Sequence, residues 1–224
     1  VSTASYDSRV SVSAQSAKPM GVQFNTDGTK MFILDEIADR VLEYTVSVGF
    51  DISSTVTFVD AFSVATQETK PTGFTFSADG TKMFVVGWKG NDVNEYTLTT
   101  GFDLSAGVSF VDSFSVVAQN ADIRDVKFST DGTVMFIMGR KALTDSVYRY
   151  TLTTPFDAST ITFEDSFYIG DQETAGNSIA FSTDGLKMFV LGTNSDAVNE
   201  YTLSTAWDFS PVTTTVDGIE VKIL

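Results

Sequence analysis

An amide side chain recurs along this chain at Gln15, Gln67, Gln119 and Gln172, and the other groups able to hold a polar ligand cluster around it. The residue pairs that follow these amides are Met20-Gly21, Thr72-Gly73, Arg124-Asp125 and Asn177-Ser178, and only the third is charged. Trp88 with Lys89, Arg140 with Lys141, and Asn194 lie in segments that change from one copy to the next. A Gln amide donates and accepts, so the four either bond backbone groups where one repeat passes into the next or face a polar ligand as a ring. Arg124 with Asp125 reads first as an ion pair that satisfies itself and second as an active dyad. An exposed Trp can stack on a sugar ring, although a lone exposed aromatic is also ordinary surface.

The chemistry that is missing narrows the field further. The 224 residues contain no His and no Cys. That removes the Ser/His/Asp triad, the imidazole metal site, the thiol nucleophile and the disulfide together. Among 29 acidic residues none recurs in a way that marks the paired carboxylates of a glycosidase. Asp35-Glu36 with Asp39 forms a loose acidic cluster without the spaced oxygen ligands of a calcium loop. No catalytic residue, no metal ligand and no cofactor is expected.

The elements that position these residues are set by a hairpin. Phe24 to Phe32 (FNTDGTKMF) returns at Phe76, Phe128 and Phe181, at spacings of 52, 52 and 53 residues. Asp-Gly between apolar runs is a strong hairpin signal, because Gly takes a positive φ without steric cost and Asp can bond its own backbone. Each repeat carries four strand signals, written a to d. In the first repeat a is 22–24, b is 31–34, c is 41–46 and d is 57–64. Strand b is apolar throughout, as burial on both faces requires, and c alternates more clearly, which places it nearer the rim. An aromatic-Asp pair (Phe50-Asp51, Phe102-Asp103, Phe156-Asp157, Trp207-Asp208) joins c to d, the Asp capping a turn and the ring covering the end of the sheet. A period near 50 built only of strands predicts an all-β protein, a β-propeller of about four four-stranded antiparallel blades.

Residues 5–12 alternate like strand d of a repeat that begins elsewhere, and they are expected to close the ring by completing the fourth blade. The competing segment is 215–221. Residues 1–211 accordingly read as one propeller domain and 212–224 as a last outer strand or a tail. A strand left without a slot invites self-association. The chain starts at Val1, inside a repeat, and reads as a processed or excised piece.

Loops a-b and c-d hardly vary between repeats, whereas the b-c loops (35–40, 87–92, 139–146, 192–197) and the residues after each d strand do. Variable loops are free to bind, so the b-c/d-a side is the expected ligand face. Lys+Arg 14 against Asp+Glu 29 leaves a net charge of −15, whose field repels phosphate backbones and anionic lipids. Nucleic acid and membrane insertion are therefore not expected, and acid excess with abundant Ser and Thr suits an extracellular, cell-surface or virion setting.

The FSTDG-type hairpin, the DxVxEYTL strand and the TxFDLS loop resemble the repeats of YVTN, lactonase-like and TolB-like propellers, most closely the arrays of secreted, surface and phage-associated marine bacterial proteins. The resemblance covers nearly the whole chain and implies the propeller fold. It is specific for fold rather than activity, since propellers host lectins, enzymes and scaffolds. Sialidase Asp boxes separate their Asp from their Gly, unlike Asp131-Gly132 here, and lactonase-type propellers draw on His or metal-binding acids near the channel. The expected function is a non-enzymatic recognition or adhesion module that binds a glycan or other polar surface ligand. A structural assembly subunit and a propeller hydrolase follow as alternatives.

Overall fold

The computed structural model describes residues 5–140, 145–210, 212–216 and 219–223, the last two segments as backbone only. The chain is an all-β propeller built from two compact units that divide after Ser113.

In the first unit, β1 (Pro19–Phe24), β2 (Lys30–Asp35), β3 (Arg40–Val46) and β4 (Val56–Ser63) form one antiparallel blade. A second blade follows from β5 (Pro71–Phe76), β6 (Lys82–Gly87), β7 (Asp92–Thr100) and β8 (Asp103–Ser115). Phe32, Leu34 and Val41 of the first blade pack against Phe74, Phe76, Met83 and Val85 of the second, with all seven side chains buried. The second unit repeats the pattern with β9 (Ile123–Phe128), β10 (Val134–Gly139), β11 (Ser146–Leu152) and β12 (Ile161–Tyr168). Against that blade lies a three-stranded sheet of β13 (Gly176–Phe181), β14 (Lys187–Gly192) and β15 (Val198–Thr202), joined through Phe136, Met138, Val147, Ile179, Met188 and Val190.

The recurring hairpin and the aromatic-Asp loop prove to be one device. Gly28, Gly80, Gly132 and Gly185 have φ between +71° and +74°, the left-handed region open to glycine. A Cβ on Gly132 would stand 2.2 Å from the Phe156 ring, and one on Gly185 2.3 Å from the Trp207 indole. The ring therefore sits directly on the turn. The Phe156 N–H donates to the Gly132 carbonyl at 3.0 Å, and Asp157 caps the following 3-10 turn by accepting from the Ser159 N–H at 3.0 Å. Both roles expected of the aromatic-Asp pair are present.

Strand c is buried more deeply than its alternation predicts. Val41 to Tyr44 are all buried, Glu43 included. Glu43 can lie there because Lys30 reaches one carboxylate oxygen at 2.8 Å and the Leu104 N–H of the next blade donates to the other at 2.6 Å. A buried charge persists only when paired and hydrogen-bonded.

Residues 5–12, read as a closing outer strand, are not hydrogen-bonded into a sheet among the described residues. Their Val10 and Val12 pack instead on Met31, Ile33 and other core residues of the first blade. At the other end β16 (Val212–Val216) and β17 (Ile219–Ile223) pair with each other as a separate hairpin.

Candidate functional site

In the second unit, the connection from β8 to β9 folds back so that Val117–Asp122 and Arg140 enclose a cleft of about 350 Å³. The fold-back starts at Val116, whose carbonyl accepts the Gln119 and Asn120 N–H groups, both at 3.0 Å. Asn120 is buried; its side-chain oxygen accepts the Asp122 N–H at 2.7 Å and its amide nitrogen donates to the Tyr148 hydroxyl at 3.3 Å. Arg140, just past β10, donates its backbone N–H to the Asp122 carbonyl at 2.7 Å. Gly139 is required beside it, since a Cβ there would lie 2.7 Å from the Asn120 amide nitrogen.

These bonds bring a carboxylate, a guanidinium and an amide together. Asp122 is held from behind by Arg124, whose terminal nitrogen lies 2.7 and 2.8 Å from its two oxygens. Arg140, half-buried, shares the cleft with Asp122 and Gln119. One end of a d-a connection and the start of a b-c loop thus meet on the side where the variable segments lie. Among the described residues no group of three metal-ligating side chains converges.

The expected Arg124-Asp125 pair does not form. Successive side chains of a strand point to opposite faces, so Arg124 turns to Asp122 and Asp125 turns into the sheet. One Asp125 oxygen accepts from the Val126 N–H (2.9 Å) and Lys127 Nζ (2.8 Å), the other from Ser178 Oγ (2.6 Å) and the Ile179 N–H (3.1 Å). Four donors occupy this carboxylate, and the two from Ser178 and Ile179 staple β9 to β13.

Three of the four recurring amides meet a tyrosine hydroxyl rather than backbone groups. The side-chain oxygens of Gln15, Gln67 and Gln119 accept long bonds, 3.3 to 3.5 Å, from the Tyr44, Tyr96 and Tyr150 hydroxyls. Burial pushes the Tyr96 and Tyr150 hydroxyls well above the ordinary phenol range, so they remain donors. Gln172 is exposed, and the corresponding Tyr201 hydroxyl has no hydrogen-bond partner among the described residues. Only Gln119 of the four lines the cleft.

The other candidates lie elsewhere. Trp88 and Lys89 are exposed in a turn of the first unit, and Lys141 lies outside the described residues. Asn177 is half-buried in β13, and the Asn194 amide donates to Thr174 Oγ1 at 2.7 Å. Sequence reasoning missed Asn120 and Asp122, and with them Glu68 and Glu173, which follow the recurring Gln at the same step as Asn120. Glu173 is buried. One oxygen accepts the Ala175 and Asn194 N–H groups at 2.7 and 3.3 Å, and the other takes the Ser195 N–H at 3.1 Å as well as its hydroxyl. Desolvation opposes its charge, but these bonds outweigh burial and hold the carboxyl below the ordinary glutamate range. The repeated polar residue after each Gln was the signal available.

No family model matches the chain, and no curated protein does. Solved structures do resemble it. A candidate 6-phosphogluconolactonase from Bacteroides fragilis aligns at 14% identity with a TM-score of 0.61, over 92% of this chain and 55% of that one. One from Bacteroides uniformis aligns at 15% identity with a TM-score of 0.60, over 91% and 53%. The periplasmic gluconolactonase of Pseudomonas aeruginosa aligns at 18% identity with a TM-score of 0.54, over 83% and 50%. The chain spans about half the length of each neighbour. At such identities the likeness establishes the propeller fold and carries the lactonase-like side of the resemblance, while marine and phage-associated arrays have no counterpart among these three. It also corrects the functional expectation. These three neighbours are named as lactonases and a further one as the hydrazine synthase of Kuenenia stuttgartiensis, so the non-enzymatic adhesion reading, which ranked a hydrolase last, is overturned.

Proposed function

We propose that this chain belongs to a hydrolase that opens a small, polar, sugar-derived lactone in the cleft formed by residues 117–122 and Arg140. The observation that carries the reading is the juxtaposition of Asp122 and Arg140 in a cleft whose volume suits a single sugar ring. Lactone opening adds water to the ring carbonyl and breaks the ring C–O bond, giving a hydroxy acid. The step needs a base to take the proton of the attacking water and a cation or donor for the oxygen that becomes negative. With no His in the chain, the group we assign as that base is a carboxylate. Asp122 is placed for it, with Arg124 positioning the carboxylate from behind. Arg140 supplies the positive charge for the developing oxyanion or for an anionic group on the substrate.

The lactonase names of the structural neighbours support the choice of substrate class. The test is hydrolysis of gluconolactone and of its 6-phosphorylated form, each measured against spontaneous ring opening. Asp122→Asn should lower kcat by about 10²–10⁴-fold, the usual worth of a positioned base, and Arg140→Ala should mainly raise KM. Opening of both lactones at the uncatalysed rate, or full activity in Asp122→Asn, would refute the proposal.

A further inference from the structure

Two side chains that line the cleft of the second unit carry hydrogen-bond donors with no acceptor among the described residues. The first is Arg140, half-buried, whose backbone N–H is engaged on the Asp122 carbonyl while its guanidinium meets no carboxylate there. The second is Gln119. Its side-chain oxygen accepts the Tyr150 hydroxyl at 3.5 Å, which fixes the two ends of the amide and makes the nitrogen the end left over.

The local charges favour an anion. Asp122 is already matched by Arg124, one of whose terminal nitrogens contacts both of its oxygens at 2.7 and 2.8 Å, so the Arg140 charge stands uncompensated among the described residues of the cleft. A net charge of −15 repels anions at long range, and only local donors can hold one here. A guanidinium together with an amide N–H suits the two oxygens of a carboxylate.

We infer that the cleft binds an ionised polyhydroxy carboxylate through Arg140 and Gln119, and that the hydrolase is restrained by its own product. The origin of that acid rests on the lactone reading above. Water adds to the ring carbonyl carbon as Asp122 takes one of its protons, the ring C–O bond breaks, and the proton passes to the departing ring oxygen, which becomes a hydroxyl. The carboxylic acid formed loses its remaining proton to solvent at neutral pH. A neutral ligand has then become an anion in place, at the carbon whose oxygen Arg140 is assigned to stabilise. The added charge decides the relative affinity of acid and lactone, because hydrogen bonds to a charged group are the stronger ones.

Calorimetric titration with gluconate and with glucitol, its neutral counterpart, tests this without turnover. Gluconate should bind about 10–100-fold more tightly than glucitol. Arg140→Gln should remove that advantage. Gln119→Glu keeps an acceptor for Tyr150 but exchanges a donor for a negative charge, so it should weaken gluconate and leave glucitol unchanged, which also reports an intact cleft. Added gluconate should compete with gluconolactone in the hydrolysis assay. Undetectable gluconate binding, equal affinity for gluconate and glucitol, or gluconate binding indifferent to Arg140→Gln would overturn the inference even if lactone is opened. The expected binding pattern without lactone opening would support the carboxylate site and sink the hydrolase reading.

Discussion

At Asp131 one carboxylate oxygen takes three hydrogen bonds, from Ser129 Oγ at 2.7 Å, Thr133 Oγ1 at 2.8 Å and the Thr133 N–H at 3.1 Å. The Ser129 hydroxyl, then the Thr133 N–H, hold its carboxyl below the ordinary aspartate range, and Asp27, Asp79 and Asp184 are lowered by equivalent bonds. A depressed folded value means these turns favour the native state at pH above the unfolded value, and that this contribution is lost as pH falls through the folded one. The thermal midpoint should therefore drop as pH is taken below about 4, less steeply in Asp131→Ala, which should itself cost about 1 kcal/mol at neutral pH. A midpoint that stays flat through that acid range would show that the turns are not linked to folding. The motif was legible in the sequence because every partner lies within two residues of Asp131.

At the scale of elements, what joins a d-a connection to the neighbouring b-c loop is a buried glutamate. Glu173 satisfies backbone N–H groups at Ala175, Asn194 and Ser195, and Glu68 does the same at Lys70 and Gly90. Glu173→Ala would leave these donors without their acceptor in a buried setting. A loss of about 1–3 kcal/mol is expected, with faster amide exchange at Asn194 and Ser195; unchanged exchange there would mean the loop holds itself. This clamp was not legible, because it spans 21 and 22 residues and depends on where two loops land. The same holds for the candidate site. Gln119, Arg124 and Arg140 could be picked from the sequence, but Asp122 gains meaning only when the fold-back at Val116 sets it against Arg140.

At the scale of the whole molecule, a net charge of −15 sets self-repulsion against a few exposed ion pairs such as Lys187–Glu200. Exposed pairs contribute little, so the repulsion should win. Raising ionic strength from about 0.01 M to about 0.1 M shortens the screening length from about 30 Å to about 10 Å and should raise the thermal midpoint. A midpoint that falls with salt would show instead that ion pairs dominate.

The sequence by itself determined the period, the Asp-Gly turns, the four strand signals and the aromatic-Asp caps. Each is encoded by residues close along the chain or by repetition, and local backbone geometry leaves such signals little freedom. Tertiary structure alone decided which strands share a sheet at the two ends, that Arg124 serves Asp122 while Asp125 is consumed as a staple, and that Gln119 and Arg140 line one cleft. Those outcomes depend on strand alternation and on where two loops land. Four nearly identical repeats cannot encode that difference, because the local signals read the same in each.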